Sequence, residues 1–339
     1  MAKAKRLPSG NYRVRVKYKD DLGNVHTESI TRPTAAEANM AAEKLRNSIK
    51  RYGRNDYTVK EAVERYIEVK RNVLSPSTIK GYKRYLPKYD VIGKIRLINL
   101  TSDTLQVFVN SLSEKHSAKY VRNVYALLMS TISLYLPDMR FRVTLPKNYT
   151  PKLNVPLEGD IARLVRESDG YMKIAICLAG FCSMRRGEIC ALKYGDIDRE
   201  ANRIHVHADM VSTDDYKWIY KDMPKTDESN RIIDCPQFVI DLLGDGEPDE
   251  YIIKMVPNTI TNGFSRLRSK LELNIRFHDL RSFFASSMTV MGVPDIYIAQ
   301  QGGWKKGSPV MKRHYQKVMD DKKSIYAKKT ESYFKKILK

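Results

Sequence analysis

The chain of 339 residues has no long apolar run. Its longest, Ile174 to Met184, is far short of the roughly 20 residues that cross a bilayer, so a membrane protein is not expected. The start, Met1-Ala2-Lys3-Ala4-Lys5-Arg6, is basic but has no apolar core behind it, so it does not read as a signal peptide. Cysteine is scarce and unpatterned. Cys177, Cys182, Cys190 and Cys235 form no C-x-x-C pair and have no nearby His to complete a zinc motif, which leaves buried free thiols in a reducing compartment. There is no P-loop, no acidic metal cluster, no internal repeat and no low-complexity tract, so neither nucleotide nor metal is expected as a cofactor. Acidic residues are short as well: 39 Asp and Glu stand against 60 Lys and Arg, a formal charge of +21. That imbalance points to a polyanionic partner, nucleic acid before membrane, or else to a merely soluble basic protein.

The charge is concentrated toward the N-terminus. Residues 1–56 carry 13 Lys and Arg against 6 Asp and Glu, and residues 57–150 carry 16 against 7. In Tyr12-Arg13-Val14-Arg15-Val16-Lys17-Tyr18-Lys19, apolar and basic residues alternate. A strand of that period has one apolar face and one face of cations, Arg13, Arg15, Lys17 and Lys19, which meets either an anion or plain solvent. A turn at Asp20 to Asn24 and a return strand from Val25 to Ile30 follow, and Thr34-Ala35-Ala36-Glu37 is a capping box opening a helix to about Ile49. The polar stretch Arg51 to Asp56 reads as a linker. A second capping box, Thr58-Val59-Lys60-Glu61, starts a helix to about Arg71, and further helices fit Ser77–Tyr89, Ser102–Ser113 and Ser117–Leu136. In the last of these, Tyr120, Val124, Leu127, Leu128 and Ile132 recur at helical spacing and should face a core. Lys80, Lys83, Arg84, Lys119 and Arg122 lie on these helices, where they meet phosphates or form solvated surface. Pro146, Pro151 and Pro156 make the segment between Leu145 and Leu157 an extended tether and set a boundary near 150. Beyond Gly159 the pattern is mostly helical, interrupted by a β segment from Arg203 to about Asp234.

Five short boxes in this last part carry chemistry. Arg185-Arg186-Gly187-Glu188 offers a guanidinium, planar and permanently charged, suited to forking onto two phosphate oxygens, with Glu188 nearly one turn on to orient it; alone it would also fit a surface ion pair. Lys225, in Pro224-Lys225-Thr226, lies in a polar run read as a turn between strands, with Arg231-Ile232-Ile233 as the return strand; most such lysines are simply solvated. His278-Asp279-Leu280-Arg281 puts an imidazole and a guanidinium on one helix face, although H-x-x-R is common by chance. Trp304, after Gly302-Gly303, is a hydrogen-bond donor or an ordinary core residue. Tyr315, in Arg313-His314-Tyr315-Gln316, is one of 21 tyrosines. Together they can hold a phosphodiester, attack it with a phenol and protonate the leaving oxygen.

Taken in this order, the boxes resemble the tyrosine recombinases, the phage-integrase family, strongly over 170–320 and more weakly over 1–150. The resemblance implies a multidomain α+β protein: a small N-terminal β-sheet plus helix over 1–50, similar to the arm-type DNA-binding domain of certain phage and transposon integrases; a helical-bundle core-binding domain over 57–145; and a mainly α catalytic domain with a small antiparallel sheet over 157–339. It selects Arg185 rather than Arg186 as the first phosphate clamp, Arg281 as the second, Lys225 as the acid for the departing 5′-oxygen, His278 as a phosphate donor or an aid to proton transfer, Trp304 as a phosphate donor and Tyr315 as the nucleophile, with Glu188 supporting. Ser183 stands where many relatives carry glycine. No metal or other cofactor is implied. The partners implied are double-stranded DNA attachment sites and a homotetramer formed on DNA, with a directionality factor and a host DNA-bending protein as optional accessories, in the cytoplasm of a bacterial host. The tail from Asp321 reads as an amphipathic helix that packs within its own chain or, as in the family, on a neighbouring protomer. Two other functions fit parts of the pattern: a type IB topoisomerase, and a DNA-binding protein without activity.

Overall fold

The computed structural model describes residues 4–19, 25–52, 57–149, 154–222, 230–305, 307, 330, 331, 334 and 335. The chain divides into two compact units, Met1–Tyr149 and Thr150–Lys339. The protein is α+β, mainly helical with small antiparallel sheets.

The first unit contains two hydrophobic cores. Strands β1 (Lys5–Arg6), β2 (Tyr12–Lys19) and β3 (Val25–Arg32) form an antiparallel sheet in that order. Alternation along β2 buries Val14 and Val16 against helix α1 (Ala35–Tyr52), where Ala38, Ala42 and Leu45 complete the core. The opposite phase carries Arg15 and Lys17, both exposed, and a half-buried Arg13 whose Nε donates to Thr31 Oγ1 at 3.4 Å. The Lys19 side chain lies outside the described residues. Thr34 caps α1, its hydroxyl accepting from the Glu37 N–H at 3.2 Å.

The second core belongs to a helical bundle. Helix α2 (Val59–Val69) opens on the reciprocal cap read from the sequence: Glu61 N–H donates to Thr58 Oγ1, and Thr58 N–H donates to Glu61 Oε2. Helix α3 (Pro76–Lys83) stops six residues short of the expected Tyr89. Pro87 cannot donate to the Lys83 carbonyl, and the chain tightens into a 3-10 turn over Leu86–Val91. That turn buries Tyr89, whose hydroxyl donates to Val124 O at 2.7 Å. Helices α4 (Ser102–Ser113) and α5 (Ala118–Tyr135) follow the sequence reading closely and bury Leu105, Phe108, Val124, Leu127, Leu128 and Ile132. Tyr120, expected in the core, is half-buried at its rim, edge-on to Tyr85. The irregular segment after α5 lies along the bundle, with Thr144 N–H donating to Gln106 Oε1 and Arg122 Nε donating to Pro146 O.

The second unit is built around α7 (Gly170–Phe181), which is apolar on all sides and therefore buried. Against it pack α6 (Glu158–Arg166), α8 (Arg186–Ala191), α9 (Gln237–Leu242), α10 (Pro257–Lys270) and α11 (Asp279–Val290), while α12 (Asp295–Gly302) packs on α11 in a smaller apolar cluster of its own. All four cysteines are buried and free, and the Cys182 and Cys235 sulfurs lie 3.2 Å apart. The β segment forms two sheets: β4 (Ile197–Asp198), β5 (Arg203–Val206) and β8 (Arg231–Asp234) in the order β4-β5-β8, and β6 (Ala208–Ser212) paired with β7 (Trp218–Asp222). The expected return strand therefore forms, but it pairs with β5, not with the strand that precedes Lys225. The turn at Thr213 to Lys217 had already closed a hairpin between β6 and β7. Lys225, in 223–229, and Tyr315, in 308–329, lie outside the described residues, as does nearly all of the tail. Among the described residues, no helix is long and apolar enough to cross a membrane, and no group of three or more His, Cys, Asp or Glu is disposed to hold a metal ion.

Candidate active site

Three chain segments of the second unit converge: the α7–α8 turn, the start of α11, and the end of α12 with Gly303 and Trp304. The first is a sharp reversal in which Ser183 takes φ +54°, the left-handed region. A non-glycine residue there costs about 1–2 kcal/mol, and the buried Ser183 hydroxyl has no hydrogen-bond partner. The position is one that glycine fills without strain. Ser183→Gly is expected to stabilise the unit by about 1 kcal/mol, after allowing for the greater freedom of glycine in the unfolded chain. Urea unfolding of the variant measures it, and a loss of stability would refute the strain argument.

Leaving that turn, Arg185 becomes the N-cap residue of α8, and Glu188 folds back onto it. Glu188 Oε2 accepts from the Arg185 backbone N–H at 2.7 Å, and Oε1 accepts from Arg185 Nη1 at 2.6 Å. Arg185 Nη2 donates to Gly303 O at 2.9 Å. One third of the Arg185 side chain stays exposed, so the head is fixed yet reachable. Arg281, in the first turn of α11, is 2% exposed. Its Nη2 donates to Gly302 O at 2.7 Å and its Nη1 to Ser183 O, while its Cζ stands 4.8 Å from the centroid of the Trp304 ring. The two arginines are thus tied to consecutive carbonyls, and Trp304 forms the wall beside one of them. Gly302 is required by this packing: a Cβ there would fall 2.0 Å from the indole. Gly303 takes φ +61° and ends α12 in a left-handed cap.

The charge is arranged around Glu188, itself 3% exposed. Burial alone would raise its pKa, but Arg231, Arg185 and Arg281 together hold it at about 2. Arg281 is pushed down from the usual guanidinium range by burial and by the charge of Arg185. It remains a cation, as arginine does in proteins. His278 immediately precedes α11 and exposes its ring. Partial desolvation, then the charge of Arg281, holds it below its usual value, so it is neutral at pH 7 and can donate through one nitrogen and accept through the other. Asp209, on β6, is pushed up to about 6 by burial and then by Glu188.

Arg185 is therefore in contact with Glu188 and Arg281 with Trp304, and the adjacent carbonyls of Gly303 and Gly302 hold the two pairs side by side, with His278 one turn from Arg281. Lys83, Arg84 and Lys119 are exposed on their helices and Lys80 is half-buried. The half-buried Arg122 already spends its Nε on Pro146 O. Sequence reasoning missed Arg231. It forks onto both oxygens of Glu188 at 3.2 and 3.0 Å, and its Nε donates to Gln301 O at 2.9 Å. The signal was present: in Arg231-Ile232-Ile233-Asp234 the inward phase carries Arg231 and Ile233, so a strand alternation placed an arginine in the core. Also missed was His207, which meets Asp196 and Asp222 at once.

The model of the phage integrase family matches residues 157–322, and that of the phage integrase N-terminal SAM-like domain matches 58–113. The chain belongs to the phage integrase family, the tyrosine-type site-specific recombinases. It is 24% identical over 375 aligned positions to the prophage ps2 probable integrase of Lactococcus lactis subsp. lactis (strain IL1403), covering 94% of this chain and 96% of that protein. In fold it is similar to the Tn1549 transposon integrase in complex with a circular intermediate DNA, with a TM-score of 0.65, 15% identity, and 76% of this chain and 94% of that one covered. It is likewise similar to a lambda integrase dimer bound to a COC′ core site, with a TM-score of 0.56, 15% identity, and 92% and 94% covered.

Proposed function

We propose that this chain cuts and rejoins double-stranded DNA at attachment sites of a mobile element, with Tyr315 as the nucleophile. The observation that carries the reading is the pair of guanidinium groups, Arg185 and Arg281, anchored on the adjacent carbonyls of Gly303 and Gly302. Two permanent charges fixed at one place suit a phosphate that gains charge as it is attacked. The Tyr315 phenol releases its proton to solvent and its oxygen attacks the phosphorus, the bond to the 5′-oxygen breaks, and Lys225 gives that oxygen its proton. A 3′-phosphotyrosyl link and a free 5′-hydroxyl result. Attack by a 5′-hydroxyl of a partner duplex reverses the step, so the bond energy is conserved and no external energy source enters. His278 and Trp304 donate to the non-bridging oxygens. Exchange between two duplexes requires four active sites, hence a homotetramer on DNA. A directionality factor and a host DNA-bending protein are the accessories such a reaction takes.

Incubation with a nicked duplex carrying the attachment site should trap a covalent protein–DNA adduct on a denaturing gel. Absence of an adduct would leave a DNA-binding protein without activity. Strand exchange between two defined sites, against relaxation of any supercoiled plasmid, separates the recombinase from a type IB topoisomerase.

The N-terminal sheet is the proposed arm-binding element, with Arg13, Arg15, Lys17 and Lys19 on its cationic phase, and the bundle of 57–145 grips the core site through Lys80, Lys83, Arg84, Lys119 and Arg122. Deleting residues 1–50 is expected to leave core-site cleavage within about twofold while integration falls at least about tenfold. The salt dependence of binding should flatten by roughly one unit of slope for each phosphate that the deleted cations no longer neutralise. Full recombination by the truncated chain would remove the arm role.

A further inference from the structure

His207, between β5 and β6, lies outside the machinery described above, yet its ring is held at both nitrogens. Nδ1 is 2.9 Å from Asp222 Oδ1 and Nε2 is 2.9 Å from Asp196 Oδ1. A carboxylate only accepts, and a neutral imidazole has one N–H and one lone pair. Both contacts are hydrogen bonds only when both nitrogens carry protons. The second oxygen of Asp196 is itself an acceptor, for the Lys193 N–H at 2.9 Å, and the Asp222 side chain is 73% exposed to water. The geometry therefore describes an imidazolium bridging two carboxylates.

The bridge joins two parts of the proposed active site. Asp196 belongs to the short 3-10 turn that follows α8, directly after the first arginine box. Asp222 ends β7, three residues before Lys225. Asp222 is the last described residue before the segment that carries Lys225, so whatever holds Asp222 sets the point from which that segment departs. The neighbouring imidazole does the same on the other side. His205, with its ring centroid 4.8 Å from that of His207, meets Asn230 Oδ1 through Nε2 at 2.9 Å. One histidine thus holds the residue before 223–229 and the other the residue after it.

We propose that His207, as an imidazolium, is a positioning residue for the leaving-group proton donor, tying the chain that leads into Lys225 to the turn that follows Arg185. The proposal rests on the reading of Lys225 as that donor. The charged and titratable groups facing His207 are Asp196 from the 3-10 turn, Asp222 from β7, His205 from β5, and Glu188 from α8 across a small shared cavity. Glu188 is engaged by Arg185 and Arg231. Partial burial works against a charged His207, and the bonds to Asp196 and Asp222 outweigh it and raise its pKa. The bridge is complete below the ordinary histidine value and is lost as pH rises through the raised one. One carboxylate then faces a lone pair, and the exposed Asp222 is the one free to leave. Replacing Asp222 by asparagine removes the need for charge, because the amide can donate to the neutral ring.

The experiment compares cleavage of two nicked duplexes by the full chain: one with the natural 5′-oxygen at the scissile phosphate, the other with sulfur there. A thiolate departs without a proton, since thiols have a pKa near 8.5, far below that of an alcohol. His207→Gln is expected to slow cleavage of the oxygen substrate at least about tenfold and to cleave the sulfur substrate within about twofold of wild type. Equal slowing on both substrates would make His207 a merely structural residue and overturn the proposal. Lys225→Ala on the same pair is the reference. If sulfur does not restore that variant, the reading of Lys225 fails, and it fails separately from the role of His207. In the pH profile with the oxygen substrate, Asp222→Asn should lose the alkaline decline that wild type shows at the His207 transition, located by NMR titration of the ring. A variant retaining that decline would also overturn the proposal.

Discussion

Tyr315→Phe is expected to bind attachment-site DNA with unchanged affinity and unchanged salt dependence, yet to form no covalent adduct. The substitution removes one oxygen, the proposed attacking atom, and leaves the charge of the chain as it is. A free phenol has a pKa near 10 and is a poor nucleophile at neutral pH, so in the proposed reaction Arg185 and Arg281 stabilise both the phenolate and the five-coordinate phosphorus. Those two groups, held by the Gly302 and Gly303 carbonyls and by Glu188, remain in place in the variant. Their grip on phosphate is kept while the bond-forming atom is gone. Loss of a nucleophile from a comparable constellation costs about 10⁶-fold in rate, which takes cleavage below detection. A labelled nicked duplex resolved on a denaturing gel measures the chemistry, and a salt titration of binding measures the grip. An adduct that persists in the variant would assign the nucleophile to another of the 21 tyrosines.

Elements fixed by local chemistry were legible in the sequence. Thr58 and Glu61 cap α2 reciprocally, Ser117 caps α5, and the alternation of β2 turns Val14 and Val16 inward and Arg15 and Lys17 outward. Each of these depends on residues within four positions of one another. What was misread depends on distant partners. The polar run after β7 suggests a hairpin closing on β8, but strand pairing is decided by which edge is free, and β8 adds to β5 while β7 is taken by β6. The candidate site divides in the same way. Arg185, Glu188, His278, Arg281 and Trp304 could be singled out as candidates because their boxes are short. Arg231 was not, because the carboxylate it serves lies 43 positions away and nothing beside it in the chain marks it as an ion-pair residue. Asp196, His207 and Asp222 are ordinary polar residues until the sheets bring them together.

Glu188→Gln is expected to destabilise the second unit by about 3–5 kcal/mol at pH 7, the range for removing one partner of a buried ion pair. Glu188 and Arg231 are each 3% exposed in their side chains, so neither charge can turn to water. The amide would present an N–H₂ to guanidinium donors and take from Arg185, Arg231 and Arg281 the carboxylate they surround. The unit carries both tryptophans, Trp218 and Trp304, so their fluorescence in a urea titration of the full chain reports its unfolding alone. The pH dependence separates charge from shape. Glu188 has a folded pKa of about 2 against an ordinary value of 4.5. A depressed carboxyl contributes its stability fully above the unfolded value and loses it as pH falls toward the folded one. From that shift the contribution is about 3 kcal/mol, lost between roughly pH 5 and pH 2. The gap between wild type and Glu188→Gln should therefore narrow by that amount across the window, because the amide does not titrate. Glu188→Asp, which keeps the charge on a shorter stem, should lie between the two at pH 7 and follow the wild-type slope. A gap that stays constant from pH 7 to pH 3 would mean that the side chain's shape, rather than its charge, holds the two arginines proposed to clamp the phosphate in register.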